Sequence, residues 1–125
     1  MKKVITIPNA PAPIGPYSQA ILKNDTLYVS GQIPLDPKTG ELQIETIQQA
    51  AKQVMENVKA LVETSGLKMT DVVKCSIFLK SMSDFAEVNE VYASYFQVDP
   101  PARETVEVSK LPLDVPVEIS CIAIR

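Results

Sequence analysis

Alternation of apolar and polar residues marks the predicted strands of this chain. Residues 19 to 31, QAILKNDTLYVSG, read as a hairpin with its turn at Asn24 and Asp25, two residues that tolerate left-handed backbone. The same alternation predicts strands over 103 to 108 and 117 to 124. The segment DVVKCSIFL is a further predicted strand, in which four residues are expected to share one face: Val73, Cys75, Ile77 and Leu79.

Two stretches show helical periodicity instead. The first predicts an amphipathic helix that ends near Gly66, because its apolar residues recur at spacings of four and three. These residues are Ile47, Ala51, Val54, Val58 and Leu61. The second stretch predicts a helix capped by Ser83 or Asp84. Its apolar residues are Phe85, Val88, Tyr92 and Tyr95. The predicted order is strand, strand, strand, helix, strand, helix, strand, strand.

The last predicted strand is apolar on both of its faces. One face carries Val117, Ile119, Cys121 and Ala123, and the other carries Ile122 and Ile124 beside Glu118 and Ser120. A packed helix is about twice as wide as a strand, so two helices are enough to cover only one face of such a sheet. Another copy of the chain is the simplest cover for the second face, so a homo-oligomer is expected.

The length of the chain predicts a single domain over residues 1–125, because compact domains most often hold roughly 100 to 150 residues. The first apolar run stops at Pro8, too short for a signal peptide, and no other run approaches membrane-spanning length. A cytoplasmic protein without membrane contact is therefore expected. The net charge of -3 argues against a nucleic-acid partner, which requires clustered lysine and arginine.

Several kinds of active site are excluded by composition. The chain has no histidine, which removes Ser-His-Asp triads, Cys-His dyads and histidine-bearing zinc sites within the chain. Cys75 and Cys121 lie in separate apolar strands and are expected to be reduced core residues, not a metal motif. No GxxxxGK[ST] or GxGxxG sequence is present, which argues against a nucleotide-dependent enzyme.

Arginine and carboxylate groups remain as candidates for chemistry. Arg103 follows Pro100 and Pro101 at the entrance to a strand, and its planar guanidinium suits a substrate carboxylate. The alternative for Arg103 is an ion pair at the surface or between subunits. Partial desolvation would raise the pKa of Glu118 and let it transfer protons near neutral pH. The alternative for Glu118 is a carboxylate neutralised by a neighbouring lysine or arginine.

Four more residues have both a structural and a binding interpretation. Tyr17 lies on a proline-rich, extended loop that includes Pro11, and it is either a core or interface aromatic or a pocket residue. Ser30 and Gly31 end a predicted strand, where the glycine would also let a ligand approach backbone amides. Asn89 lies between apolar positions of the second helix and is either part of a satisfied network or a pocket donor.

Five segments, in order and spread over the whole chain, resemble the RidA/YjgF family of reactive-intermediate deaminases. They are IGPYSQA, SGQIP, FAEVNEVY, PPARETVEVSKLP and VEI. The resemblance implies an α+β, chorismate-mutase-like fold, in which a mixed sheet carries two helices on one face. It also implies a homotrimer whose sheets form a central barrel, with ligand pockets at the three subunit interfaces.

The resemblance further implies hydrolysis of enamines and imines to 2-oxo acids and ammonia. The substrates would be 2-aminoacrylate, 2-iminopropanoate and 2-iminobutanoate, which escape from pyridoxal-phosphate-dependent dehydratases with which no stable complex is expected. Arg103 would hold the substrate carboxylate, and Glu118 would activate the attacking water. The other pocket residues would be Tyr17, Ser30, Gly31, Asn89 and the backbone near Thr105. A protonated imine is already electrophilic, so no metal or organic cofactor is required.

Two positions depart from the pattern of many family members, which have cysteine at position 105 and a small or apolar residue at position 104. Thr105 excludes covalent cysteine catalysis at that position, and Glu104 is expected to point away from Arg103. Two other functions are open. The cleft could bind 2-oxo acids or other carboxylates without turnover, or the protein could cleave RNA or inhibit translation, as some family descriptions state.

Overall fold

The computed structural model describes residues 1–10 and 12–125 and has one six-stranded sheet with two helices. The strands are β1 Lys3–Ile5, β2 Ala20–Lys23, β3 Thr26–Gln32, β4 Val72–Leu79, β5 Ala102–Glu107 and β6 Val117–Ile124. The helices are α1 Ile47–Thr64 and α2 Phe85–Ala93, and short 3-10 turns lie at Met69–Asp71, Met82–Asp84 and Pro112–Asp114. The α+β class and the predicted order of elements are confirmed. Pro11 lies outside the described residues.

The sheet is mixed, as expected, with the strand order β1-β2-β3-β6-β4-β5. All neighbouring strands are antiparallel except β4 and β5, which are parallel and are joined by α2. Strands β3 and β4 are both antiparallel to β6, so they run parallel to each other, and α1 joins them. Strand β5 is the last strand in this order and forms one edge of the sheet, and α2 precedes it in the chain.

Local sequence fixes the bounds of α1. The Thr46 side chain accepts a hydrogen bond from the Gln49 amide at 3.0 Å, which satisfies one free donor of the first turn. Gly66 follows the helix with φ +92, a conformation that glycine adopts without steric cost, and so confirms the predicted end. Helix α2 follows a 3-10 turn, and Asp84 is its N-cap residue without a side-chain capping bond.

The core lies between the two helices and one face of the sheet. Its largest fully buried side chains include Leu27, Met55, Leu61, Ile77 and Ile119. Both cysteines are free thiols in this core, as predicted. Burying side chains of this size removes roughly 1.5 to 3 kcal/mol of unfavourable apolar hydration each, which makes this layer the main source of stability.

The predicted strict alternation of β4 was wrong at one position. Cys75, Ile77 and Leu79 are buried, but Val73 is 44% exposed and Val72 is buried in its place. The pairing of β4 with β6 shifts register between Val72 and Lys74, so the strand contains an irregularity that interrupts strict alternation.

The other face of the sheet carries apolar side chains that the helices do not cover. Tyr28 is 52% exposed, Ile124 46% and Val106 42%. This agrees with the two-faced apolar character expected of β6, while the homotrimer that would cover this face stays a prediction.

In the described part of the chain, neither helix is long and apolar enough to cross a membrane. Cytoplasmic location also stays a prediction.

Candidate active site

Ser30 and Gly31 form a bulge in β3. Val29 pairs with Cys121 and Gln32 pairs with Ile119, so two residues of β3 face one residue of β6 between these pairs. Bulges of this kind bend a strand and change the direction of its side chains, and they are common beside functional sites. The bulge brings the backbone of β3 close to the next outward-facing side chain of β6, which is Glu118.

The Glu118 side chain lies directly against the backbone of Gly31. A Cβ atom added to Gly31 would lie 2.7 Å from Glu118 Cδ and 3.0 Å from Glu118 Cγ, closer than side chains tolerate. Glu118 is half-buried, and desolvation by burial raises the pKa of its carboxyl group. The two residues therefore form one unit, in which the glycine makes room for a carboxyl group that holds a proton more readily than an exposed one.

Gly31 also lines a cavity of about 660 Å³ together with Tyr17. Tyr17 is 54% exposed and its amide donates to the Gly15 carbonyl at 3.0 Å. The cavity is otherwise walled mainly by apolar side chains, and none of the described residues around it is charged. Gly31 thus contacts Glu118 and lines the same cavity as Tyr17, while Glu118 is not itself a lining residue of that cavity. We call Tyr17, Gly31 and Glu118 the glutamate half-site.

Ser30 has a structural task within the chain. Its hydroxyl donates to the Ser18 carbonyl at 2.7 Å, and its amide donates to the Gln19 carbonyl at 2.9 Å. These two bonds hold the segment after Tyr17 against β3. Ser30 therefore supports the glutamate half-site by fixing this loop, and direct contact between its side chain and a ligand stays a prediction.

Arg103 lies on the opposite side of the molecule, between β5 and α2. Its guanidinium carbon is 5.0 Å from the centre of the Tyr92 ring and 5.8 Å from that of Phe85. Both distances fall within the range of cation–π attraction. No carboxylate forms a salt bridge with Arg103 among the residues that the structure describes. The guanidinium is therefore held by aromatic rings and keeps its hydrogen-bond donors for another partner.

Asn89 and Thr105 share this side of the molecule. Spacings of four and three place Asn89 on the same face of α2 as Phe85 and Tyr92. Thr105 follows Arg103 on the same face of β5, and its hydroxyl is buried without a hydrogen-bond partner among the described residues. Because β5 is an edge strand, part of its backbone has no strand partner. We call Asn89, Arg103 and Thr105 the arginine half-site.

The two half-sites do not meet within one chain. Arg103 is aligned with Cys75, whose side chain is buried under the helices, whereas Glu118 is aligned with Phe78 on the same strand β4. Cys75 and Phe78 are three residues apart, so their side chains project from opposite faces of the sheet. Arg103 and Glu118 therefore lie on different faces of the sheet.

Glu104 points away from Arg103, as expected, and the structure shows its partners. Its carboxylate forms a 2.8 Å salt bridge with Lys74 and also contacts the Ser76 hydroxyl. Bonds from Lys74 and then Ser76 lower the pKa of this carboxyl group. Lys74 and Ser76 alternate with buried Cys75, so this contact lies on the uncovered face and leaves the arginine half-site unchanged.

Sequence reasoning missed the role of Phe85 and Tyr92 beside Arg103, because their helical spacing indicated only a core face. The parallel connection from β4 through α2 to β5 could have suggested that α2 packs over β5.

Within the described ranges, no group of three or more histidine, cysteine, aspartate or glutamate side chains is arranged to hold a metal ion.

Comparison with known proteins gives full-length matches. The chain is 54% identical over 125 residues to a RutC family protein of Pyrococcus horikoshii, covering 100% of this chain and 99% of that protein. It is 48% identical over 128 residues to the 2-iminobutanoate/2-iminopropanoate deaminase of Escherichia coli K12, covering 100% and 99%. The crystal structure of the Escherichia coli YjgF gene product superposes with a TM-score of 0.92 at 47% identity, covering 98% of each chain.

A family model also matches almost the entire chain. Residues 7–125 match the model described as Endoribonuclease L-PSP. The extent of this match and the identities near one half to full-length relatives agree with the mixed sheet and two helices seen in the structure. The chain belongs to this Endoribonuclease L-PSP family, which is the RidA/YjgF family that its sequence motifs resemble.

Proposed function

We propose that the protein hydrolyses 2-imino acids and their enamine forms to 2-oxo acids and ammonia. The observation that carries the proposal is the guanidinium of Arg103, which is fixed by two aromatic rings and has no carboxylate partner in the described chain. A planar guanidinium in this state is suited to a substrate carboxylate. The relatives named 2-iminobutanoate/2-iminopropanoate deaminase support the choice of reaction.

The proposed active site combines the two half-sites from neighbouring copies in a homotrimer. Arg103 and Glu118 lie on opposite faces of one sheet, so one chain alone cannot bring them to the same small molecule. The exposed apolar side chains on the uncovered face favour association with other copies. In this arrangement Arg103 of one copy holds the substrate carboxylate, and Tyr17, Gly31 and Glu118 come from the next.

The proposed chemistry needs one group that carries protons and a substrate held in a fixed orientation to the attacking water. The carboxylate of Glu118 removes a proton from water as the water oxygen bonds to the carbon of the protonated imine, which gives a neutral tetrahedral carbinolamine. Glu118 then returns that proton to the nitrogen, and the carbon–nitrogen bond breaks with its electron pair on the departing ammonia. The hydroxyl proton passes to Glu118 as the carbonyl of the 2-oxo acid forms, and Glu118 releases this proton to solvent. Burial raises the pKa of Glu118, which brings it closer to the working pH of a group that both accepts and returns a proton. Asn89 and the Thr105 backbone would help to orient the substrate nitrogen.

The substrates would be 2-aminoacrylate, 2-iminopropanoate and 2-iminobutanoate. Pyridoxal-phosphate-dependent dehydratases release such intermediates, so the proposed link to these enzymes is through the free small molecule and needs no stable complex. The apolar, uncharged lining of the cavity beside Gly31 is compatible with the short alkyl groups of these substrates. The proposal requires no metal or organic cofactor.

The test is an imine-hydrolysis assay in which a dehydratase generates the imine and 2-oxo acid release is followed. The wild type should accelerate release, and Arg103→Ala should abolish the acceleration. Arg125→Ala is the matched control, because Arg125 is the other arginine of the chain and pairs with Asp25 on the surface. A wild type that leaves the rate of release unchanged would refute the proposed reaction.

The family description favours RNA cleavage as a second candidate. The net charge of -3 and the lack of histidine argue against it. RNA cleavage by the wild type that disappears in Arg103→Ala and Glu118→Gln would place it in the same site, whereas cleavage retained in both variants would assign it to a contaminant or to another site. Calorimetric binding of a 2-oxo acid without any rate effect would instead identify a carboxylate-binding module.

A further inference from the structure

A substrate clamp based on arginine depends on how firmly the guanidinium is held. The Arg103 side chain starts from an edge strand and is only half-buried, so the strand alone leaves its several rotatable bonds free. The nearer of its two aromatic neighbours is Tyr92, at 5.0 Å from guanidinium carbon to ring centre. The orientation of Arg103 is therefore decided by groups on α2.

Tyr92 is itself rigidly placed. Its side chain is only 5% exposed, and its ring packs against Phe96 with 4.9 Å between ring centres and planes inclined at 51°. Tilted aromatic pairs at this separation are favourable beyond the area that they bury. Phe96 lies 9% exposed in the same core and has no contact of this kind with Arg103. Tyr92 thus links the packed core to the guanidinium.

The hydroxyl of Tyr92 does not explain why an aromatic residue is present. It is buried beside the Cys75 thiol, which is at most a weak hydrogen-bond partner, and has no nitrogen or oxygen partner among the described residues, which is unfavourable for a polar group. Burial, with a smaller effect of the neighbouring Cys75, raises the pKa of Tyr92, so the phenol stays neutral and forms no ion pair with Arg103. The feature of Tyr92 that acts on Arg103 is the face of the ring.

We propose that Tyr92 is a positioning residue whose ring holds the Arg103 guanidinium in the orientation that binds the substrate carboxylate. Phe85, at 5.8 Å, contributes a second and weaker contact. This inference rests on the proposed function of Arg103, and it adds a residue that does not touch the substrate. Its consequence is that carboxylate affinity depends on an aromatic ring in the core of the molecule.

The test compares Tyr92→Leu, Tyr92→Phe and Phe96→Leu in the full-length protein. Pyruvate serves as the carboxylate probe in calorimetry, and KM and kcat are measured with the imine. Tyr92→Leu should weaken pyruvate binding about tenfold and raise KM by a similar factor, with a smaller change in kcat. Tyr92→Phe keeps the ring and should stay within about twofold of wild type.

Phe96→Leu is the matched control, since it removes a ring from the same cluster without touching Arg103. It should lower the melting temperature, as Tyr92→Leu does, while pyruvate affinity stays near the wild-type value. Equal losses of affinity in both leucine variants would overturn the inference, because the effect would then follow core packing. Should Tyr92→Leu fail to fold, Phe85→Leu provides the same comparison and should weaken binding by a smaller factor.

Failure of the proposed function gives a different result. A wild type that neither binds pyruvate nor hydrolyses the imine refutes the role of Arg103 as a carboxylate clamp, and with it the inference. A wild type that does both, with a Tyr92→Leu variant that binds pyruvate equally well, refutes the positioning role alone.

Discussion

Gly31 provides the space that the carboxyl group of Glu118 occupies. A Cβ atom on residue 31 would lie 2.7 Å from Glu118 Cδ and 3.0 Å from Cγ. The backbone of Gly31 has no left-handed φ, in contrast to Gly15, Gly40 and Gly66. Steric contact with one side chain, and not backbone conformation, therefore requires glycine at position 31.

Gly31→Ala should cause a large loss of kcat/KM for imine hydrolysis and only a small loss of melting temperature. The end of the glutamate side chain is flexible and can swing away from the new methyl group, which moves the carboxyl group from its position for proton transfer. We expect a loss of kcat/KM of about a hundredfold, the usual contribution of a general acid or base. Kinetics and thermal unfolding on the same sample give the comparison.

The shorter Glu118→Asp side chain is the control for this steric explanation. Aspartate withdraws the carboxyl group by one methylene and so leaves room for a methyl group on residue 31. The melting temperature of the double variant Gly31→Ala/Glu118→Asp should therefore lie above the value expected from adding the effects of the two single substitutions. Additive losses of stability would show that residue 31 acts through the backbone instead.

The pKa of Glu118 in the native protein should lie above 4.5, the ordinary value for glutamate, because burial raises it. The folded protein then binds the proton more tightly than the unfolded chain, so this stabilising effect is present at low pH and is lost as pH rises through the folded pKa. Glu118→Gln should accordingly be more stable than wild type at neutral pH, although inactive. Carbon-13 NMR titration of labelled glutamate, with Glu118→Gln for assignment, measures the pKa. A pKa at or below 4.5 would contradict the prediction.

The sequence predicted most elements of the fold because their patterns are local. The hairpin turn at Asn24, the end of α1 at Gly66, and the two-faced character of β6 each depend on residues within a few positions of one another. The misplaced Val73 shows where local reasoning fails, since an irregularity depends on the register with a neighbouring strand. Periodicity alone carries no information about that register.

The two half-sites show the same limit for function. The strand face of Glu118 was predicted correctly, but whether Arg103 lies on that same face of the sheet depends on how β4 pairs with β5 and β6. The partners of Glu104 were hidden for the same reason, because Lys74 and Ser76 belong to a strand 28 to 30 positions earlier in the sequence.

Thiol reagents should not react with the native protein. Cys75 and Cys121 are both buried, and burial raises the pKa of Cys121 to about 12, so almost no reactive thiolate is present at neutral pH. A colorimetric disulfide reagent should titrate no thiol in the native protein and two after unfolding in guanidinium chloride. Rapid reaction of either cysteine under native conditions would show that the core opens around β4 and β6.

Mixing two inactive variants should restore activity if the active site is shared between copies. Arg103→Ala keeps the glutamate half-site intact, and Glu118→Gln keeps the arginine half-site intact. After unfolding and joint refolding, random assortment puts an intact arginine half-site against an intact glutamate half-site at about a quarter of the interfaces in a ring of identical contacts. The mixture should then recover roughly a quarter of wild-type activity, while each variant refolded alone stays inactive. Sedimentation of the same samples should give a trimer. A trimer without recovered activity would show that Arg103 and Glu118 do not act on the same substrate, because a site of the proposed kind must reappear whenever two complementary copies meet.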